Sequence, residues 1–158
     1  MLVPKYYEDL KTLHLNTMPN RAYYIPAPVS MDTAGEKRSC SDRFVLLNGN
    51  WKFRYYESIY DLKEEFFEEK FPAADFGEIP VPGVWQNYGY DRHQYSNIRY
   101  PFPLDPPYVP HDNPCGAYIH RFDYEQREEA PEAYLNFEGV DSCFYVWLNG
   151  VFIGYSQV

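Results

Sequence analysis

Four histidines, His14, His93, His111 and His120, are the side chains best suited to proton transfer near neutral pH. A serine hydrolase would set one of them beside an activated serine, and the sequence has no GxSxG elbow to hold such a serine. It also lacks HExxH, any histidine pair at metal-ligand spacing, and an EF-hand loop. Its glycines form neither GxGxxG nor GxxxxGK, so no phosphate cradle is expected. Cys40, Cys115 and Cys143 are odd in number and widely spaced, which fits neither a zinc site nor a disulfide framework. They read as small thiols, buried or half-buried. Carboxylates are plentiful, but none sits in a context that marks a raised-pKa acid.

Binding chemistry has better candidates. Aromatic faces stack against the C–H faces of pyranose rings, and an amide presents donor and acceptor together to neighbouring hydroxyls. The stretch "RHQYSNIRYPFPLDPPYVPHDNPCG" (92–116) and its approach supply Tyr90, Tyr95, Tyr100, Tyr108 and Asn97. Composition alone leaves open whether these tyrosines bind a ligand or only cover the core.

The elements that must position these residues are mostly strands. "FVLL" (44–47) is apolar and β-prone, and "NGN" (48–50) suits a turn. "WKFRYYE" (51–57) alternates Trp51, Phe53 and Tyr55 with Lys52, Arg54 and Tyr56, the period-2 pattern of a half-buried strand. "SIYDLKEEFFEEKF" (58–71) predicts one short helix: Ser58 caps it, Asp61 follows three residues on, and Ile59, Leu62, Phe66 and Phe67 form the apolar stripe. "GEIPVPGVW" (77–85), with Pro80 and Pro82, suits an edge strand. Further strands are predicted at 116–124, 132–139, 142–150 and 151–158, with Asn149-Gly150 as a hairpin turn. One helical turn is expected within "YYEDLKTLH".

Charge and composition exclude several classes. The net charge is −9 and the pI is about 4.8, with 14 scattered Lys and Arg, so nucleic acid is not an expected partner. The amino terminus has no apolar signal core and no stretch is apolar enough to span a membrane, which makes a soluble, cytoplasmic setting the expectation. With 45% hydrophobic residues, 20% aromatics and 14 prolines, the expected class is an all-β antiparallel sandwich. Residues 1–40 read as an extended arm and 41–158 as a sandwich that is incomplete at its carboxyl end.

Four stretches together carry a family resemblance: "LHLNTMPNRAYYIPAP", "LNGNWKFRYY", "VPGVWQNYGYDRHQYSNIRYPFPLDPPYVPHDNPCGAY" and "FEGVDSCFYVWLNGVFIGYSQV". Over roughly residues 13–158 the chain resembles the first domain of large bacterial glycoside hydrolase family 2 β-galactosidases. The last stretch is shared with β-glucuronidases and β-mannosidases, whereas the 82–116 block favours β-galactosidase. The resemblance implies a jelly-roll sugar-binding domain and a retaining enzyme whose two catalytic glutamates sit on a separate (β/α)₈ barrel. It implies that this chain carries no catalytic and no metal-binding residue, and that Mg²⁺ and Na⁺ or K⁺ serve the parent enzyme elsewhere. It further implies that Asn97 and Ile98 reach the galactose subsite, that downstream domains are partners, and that the parent is a homo-oligomer acting on β-galactosides such as lactose. The alternative expectations are a stand-alone carbohydrate-binding module and a family 2 member of the β-glucuronidase or β-mannosidase type.

Overall fold

The computed structural model describes residues 2–94 and 97–157. Among them are six strands, β1 (His14–Leu15), β2 (Gly49–Tyr56), β3 (Gly77–Val81), β4 (Cys115–Ile119), β5 (Phe144–Leu148) and β6 (Val151–Ser156). They form two antiparallel three-stranded sheets, ordered β1-β6-β5 and β3-β2-β4. The protein is an all-β sandwich. The core between the sheets joins Tyr56 of β2 and Ala117 of β4 to Val3, Ile59, Leu62, Ala73 and Phe76. Tyr145 and Trp147 of β5 pack on this cluster from the other sheet.

β2 is covered on both faces. Its even residues face the inter-sheet core, where the Arg54 guanidinium lies 4.5 Å from the centre of the Phe76 ring. On the odd face, Phe53 is 1% exposed, with the rings of Tyr118 and Tyr90 at 4.7 and 4.9 Å. The period-2 reading of this strand holds, but its "polar" face contributes the buried Tyr56. β3 lies at an edge of its sheet, as its prolines require. The β5–β6 hairpin turns on Asn149 (φ 49°) and Gly150 (φ 81°), the two positive φ values of the primed turn that Asn-Gly favours.

Several expectations fail. No α-helix forms over 58–71. Ser58 does cap a turn, accepting a hydrogen bond from the Tyr60 N–H, but the 3₁₀ turn ends at Asp61. A continued helix would stack Glu64 over Glu68 and Glu65 over Glu69, like-charge pairs that destabilise it. Glu64 is instead drawn to β2, where the Tyr56 hydroxyl donates to it at 3.0 Å and Arg54 pairs with it. The apolar stripe still reaches the core through Ile59, Leu62 and Phe66. The predicted hairpin at 44–57 is also absent. β2 begins at Gly49, inside the expected turn, and its edges are taken by β3 over 49–53 and by β4 over 52–56. No edge is left for residues 44–47. The stretch 132–139 is likewise not a strand, and β4 stops at Ile119 rather than residue 124.

The amino-terminal residues are tied to the sandwich. β1 pairs with β6, placing His14 opposite Ser156 and Leu15 opposite Tyr155. The expected helical turn appears as a 3₁₀ turn at Tyr6–Glu8. Farther along, Arg38 donates two hydrogen bonds to Glu138, one at 2.9 Å, and the Tyr23 hydroxyl donates a third. These bonds stabilise the anion, with Arg38 the largest influence, and hold the Glu138 carboxyl down at about 2.

Two outcomes check this arrangement. A Cβ on Gly116 would sit 2.6 Å from the Phe53 ring and 3.0 Å from the Trp85 ring. Gly116→Ala should therefore lower stability by about 1–3 kcal/mol in urea denaturation. For Glu138, a carboxyl-detected NMR titration should give a midpoint near 2 rather than the usual 4.5. Because the folded-state pKa is the lower one, the pairing is complete above 4.5 and is lost as pH falls towards 2. The exposed setting keeps its effect on stability small.

Candidate functional site: the proline-rich loop

The stretch between Tyr90 and β4 is a long excursion from the sheets, and its two ends return to neighbouring points on β2. At the first end, a 3₁₀ turn at Trp85–Tyr88 closes on Gly89, whose φ of 87° favours glycine. This sets the Tyr90 ring 4.9 Å from Phe53 and 5.9 Å from Tyr55. At the second end, Cys115 enters β4 directly opposite Tyr56. Just before it, the Ile59 N–H donates to the Asn113 carbonyl at 2.8 Å, and the Ser58 hydroxyl donates to the His111 carbonyl. The His111 ring stacks on Tyr60 with centroids 4.7 Å apart and planes 16° from parallel.

Six prolines, at 101, 103, 106, 107, 110 and 114, restrict the backbone between these ends. Short turns add to this: the Tyr108 N–H donates to the Asp105 carbonyl at 2.9 Å, and Tyr100 packs edge-on against Phe102. Asn97 and Ile98 lie in a turn on this loop and are exposed, Ile98 at 77%. Tyr100 and Tyr108 are exposed as well. Tyr90 is an anchor beneath the loop rather than part of its outer surface. Tyr95 lies outside the described residues.

Two small concavities lie among the described residues, and this turn lines neither. One, of about 210 Å³, is lined by Leu2, Pro4, Tyr6, Phe67, Trp147 and Phe152. Another, of about 150 Å³, lies between Ile25, Met31 and Arg38. Both are smaller than the usual pocket for a small molecule. Asn97 and Ile98 lie exposed on the loop, apart from both concavities.

Several of the remaining reactive groups are occupied structurally, while His93 is exposed on the loop. His14 Nδ1 lies 3.0 Å from the Ser156 hydroxyl, a histidine–serine pair that sequence spacing could not reveal because 141 residues intervene. Ser156 is buried within β6, and no carboxylate hydrogen-bonds to the His14 ring among the described residues. The pair fixes the register of β1 against β6. His120 is stacked flat on Trp51 at 4.8 Å. Three carboxyl groups are held below their usual range: Asp9 by the Thr12 hydroxyl, Glu64 chiefly by its own backbone N–H, and Glu138 by Arg38. Each shift favours the anion, the opposite of what a general acid requires. No three His, Cys, Asp or Glu groups converge as metal ligands among the described residues. No helix among them is long and apolar enough to cross a membrane.

The thiols divide. Burial pushes Cys115 up to about 12 and also raises Cys143, whereas Cys40 is exposed, contrary to the reading of all three as buried or half-buried. Cys40 follows Arg38 and Ser39 in a short 3₁₀ turn that turns its side chain outward.

With this geometry in place, comparison with known proteins assigns the chain. Residues 44–158 match the family described as "Glycosyl hydrolases family 2, sugar binding domain", and the chain belongs to that family. Individual relatives share the name β-galactosidase. The protein of that name from Actinobacillus pleuropneumoniae is 46% identical over all 158 residues, which cover 15% of its own length. That from Staphylococcus xylosus is 44% identical over the whole chain and 16% of its length. One from Vibrio cholerae is 37% identical over 89% of the chain and 13% of its length. The chain thus spans about one-sixth or less of the relatives it matches.

Thiol labelling checks the electrostatics. With excess aromatic disulfide reagent at pH 8, one thiol should react quickly and two only after denaturation. Cys40→Ser should abolish the fast phase, because the thiolate is the reactive form.

Proposed function

We propose that this chain is the amino-terminal sugar-binding part of a longer β-galactosidase and that its loop at Asn97-Ile98 completes the galactose subsite of that enzyme. The observation that carries this reading is the similarity of the whole chain to proteins named β-galactosidase, each several times its length. The exposed turn supports it: one amide and one aliphatic side chain, held out from the sandwich, suit a site whose other wall is elsewhere. Asn97 would exchange hydrogen bonds with sugar hydroxyls, donating through its NH₂ and accepting through its oxygen. Ile98 would lie against an apolar face of the ring.

The parent hydrolyses terminal β-galactosides such as lactose with retention, using two glutamates beyond this chain. Mg²⁺ and Na⁺ or K⁺ would be held by residues outside it. The jelly-roll topology, the division into an arm (1–40) and a sandwich (41–158), a cytoplasmic setting and a homo-oligomeric parent belong to the same reading.

Exposed apolar side chains support docking to other domains of the same polypeptide. Tyr134, Leu135, Phe137 and Val140 are each more than 40% exposed along a stretch with strand-like composition. Patches of this kind mark interaction surfaces.

The 158-residue chain alone should hydrolyse no chromogenic β-galactoside. In the full-length enzyme, Asn97→Ala should lower kcat/KM by about 10- to 100-fold, the loss of one or two buried hydrogen bonds to substrate. Turnover by the isolated chain, or an Asn97→Ala enzyme with unaltered kcat/KM, would contradict this function.

A further inference from the structure

Asn97 and Ile98 sit on a loop with no sheet neighbour, yet a substrate contact must be held to within a fraction of an ångström. Something outside the loop's own turns must therefore fix it. The structure offers two anchors. The first is aromatic: Tyr90 packed on Phe53 and Tyr55. The second is a compact set of contacts around residues 58–60. It combines the Ser58 hydroxyl on the His111 carbonyl, the Ile59 N–H on the Asn113 carbonyl, and the His111 ring on Tyr60. Lys5 extends this second anchor, its ammonium 5.4 Å from the Tyr60 ring centre.

The two anchors differ in what they serve. Tyr90 is part of the outer core and buries Phe53, so its loss would damage the fold. Tyr60 is half-buried and His111 is exposed, and neither belongs to the set of fully buried side chains. The hydrogen bonds from the Ser58 hydroxyl and the Ile59 N–H already join the chain to residues 111 and 113. The added ring stack fixes the direction in which the loop leaves that junction, because a parallel stack resists tilting where single hydrogen bonds pivot. Proline restriction from 101 to 110 then transmits that direction along the chain towards the turn at 97–98.

From this we infer that the His111–Tyr60 stack is a positioning device for the substrate-contacting turn, and that His111 is a positioning residue of the enzyme rather than a proton carrier. The inference rests on the assignment of Asn97 as a substrate contact. It gives one histidine of the sequence a role distinct from both catalysis and bulk packing.

The test uses the full-length enzyme with a chromogenic β-galactoside, measuring KM, kcat and thermal midpoint for each variant. His111→Ala should raise KM about three- to tenfold, with the thermal midpoint changed by no more than a few degrees. His111→Phe keeps a flat ring for the stack and should restore KM to within about twofold of the parent. If His111→Ala does not fold, Tyr60→Leu removes the same stack from the other side and should raise KM alike. In an Asn97→Ala background, His111→Ala should raise KM less than it does in the parent, because only the Ile98 contact remains to be positioned. The inference is overturned if Asn97→Ala raises KM and His111→Ala does not, or if the two effects simply add. An Asn97→Ala enzyme with unchanged KM overturns the substrate-contact assignment itself, and the positioning role with it.

Discussion

Burial of Phe53 on the outer face of β2 is the constraint on which the rest of the structure depends. A central strand in a two-sheet sandwich ordinarily has one dry face. Here the second face must be dry as well, and no third sheet exists among the described residues to cover it. The covering comes from irregular chain: Trp85, Tyr90 and, across the strand pair, Tyr118. That requirement decides where the polypeptide goes after β3. It must cross over Phe53 before it can leave the surface, so the long loop starts from a fixed point. It also explains why Gly116 is tolerated in a strand, where glycine is otherwise weak: Phe53 and Trp85 fill the space that a side chain would occupy.

Two kinds of order result. The sheets and the inter-sheet core are held by ladder hydrogen bonds and apolar burial. The proline-rich loop is held by its ends and by restricted backbone angles, with few bonds to the body between them. The second kind suits a segment that meets substrate, because it needs no neighbouring strand and leaves side chains such as Ile98 outward. Charge works differently again. Glu138, Arg38 and Tyr23 join the amino-terminal region to the stretch before β5 through solvated polar contacts, which constrain geometry more than they add stability.

Much of this was legible in the sequence. Alternation at 51–57, prolines at the β3 edge and Asn149-Gly150 were local signals, and each element formed accordingly. The turn carrying Asn97 and Ile98 was identified through resemblance, and composition alone did not distinguish it from a core-covering loop. Misreadings arose where a local signal competed with a tertiary one. Ser58 and the 59–67 stripe follow the capping and periodicity rules for a helix, but the Glu64/Glu68 and Glu65/Glu69 pairs oppose it and Glu64 finds better partners on β2. Residues 44–47 are as β-prone as any in the chain, but strand pairing is limited by free edges, which periodicity does not encode. Long-range partners such as His14 with Ser156, or His111 with Tyr60, left no sequence signal at all.

The convergence of the loop's ends on Tyr55 and Tyr56 has an evolutionary consequence. The sandwich registers only where the excursion departs and where it returns. Insertions or deletions between residues 99 and 110 would therefore leave the strands undisturbed while changing what the loop reaches. One scaffold can in this way serve sites of different depth, with substrate range drifting in a segment whose alteration the fold hardly detects.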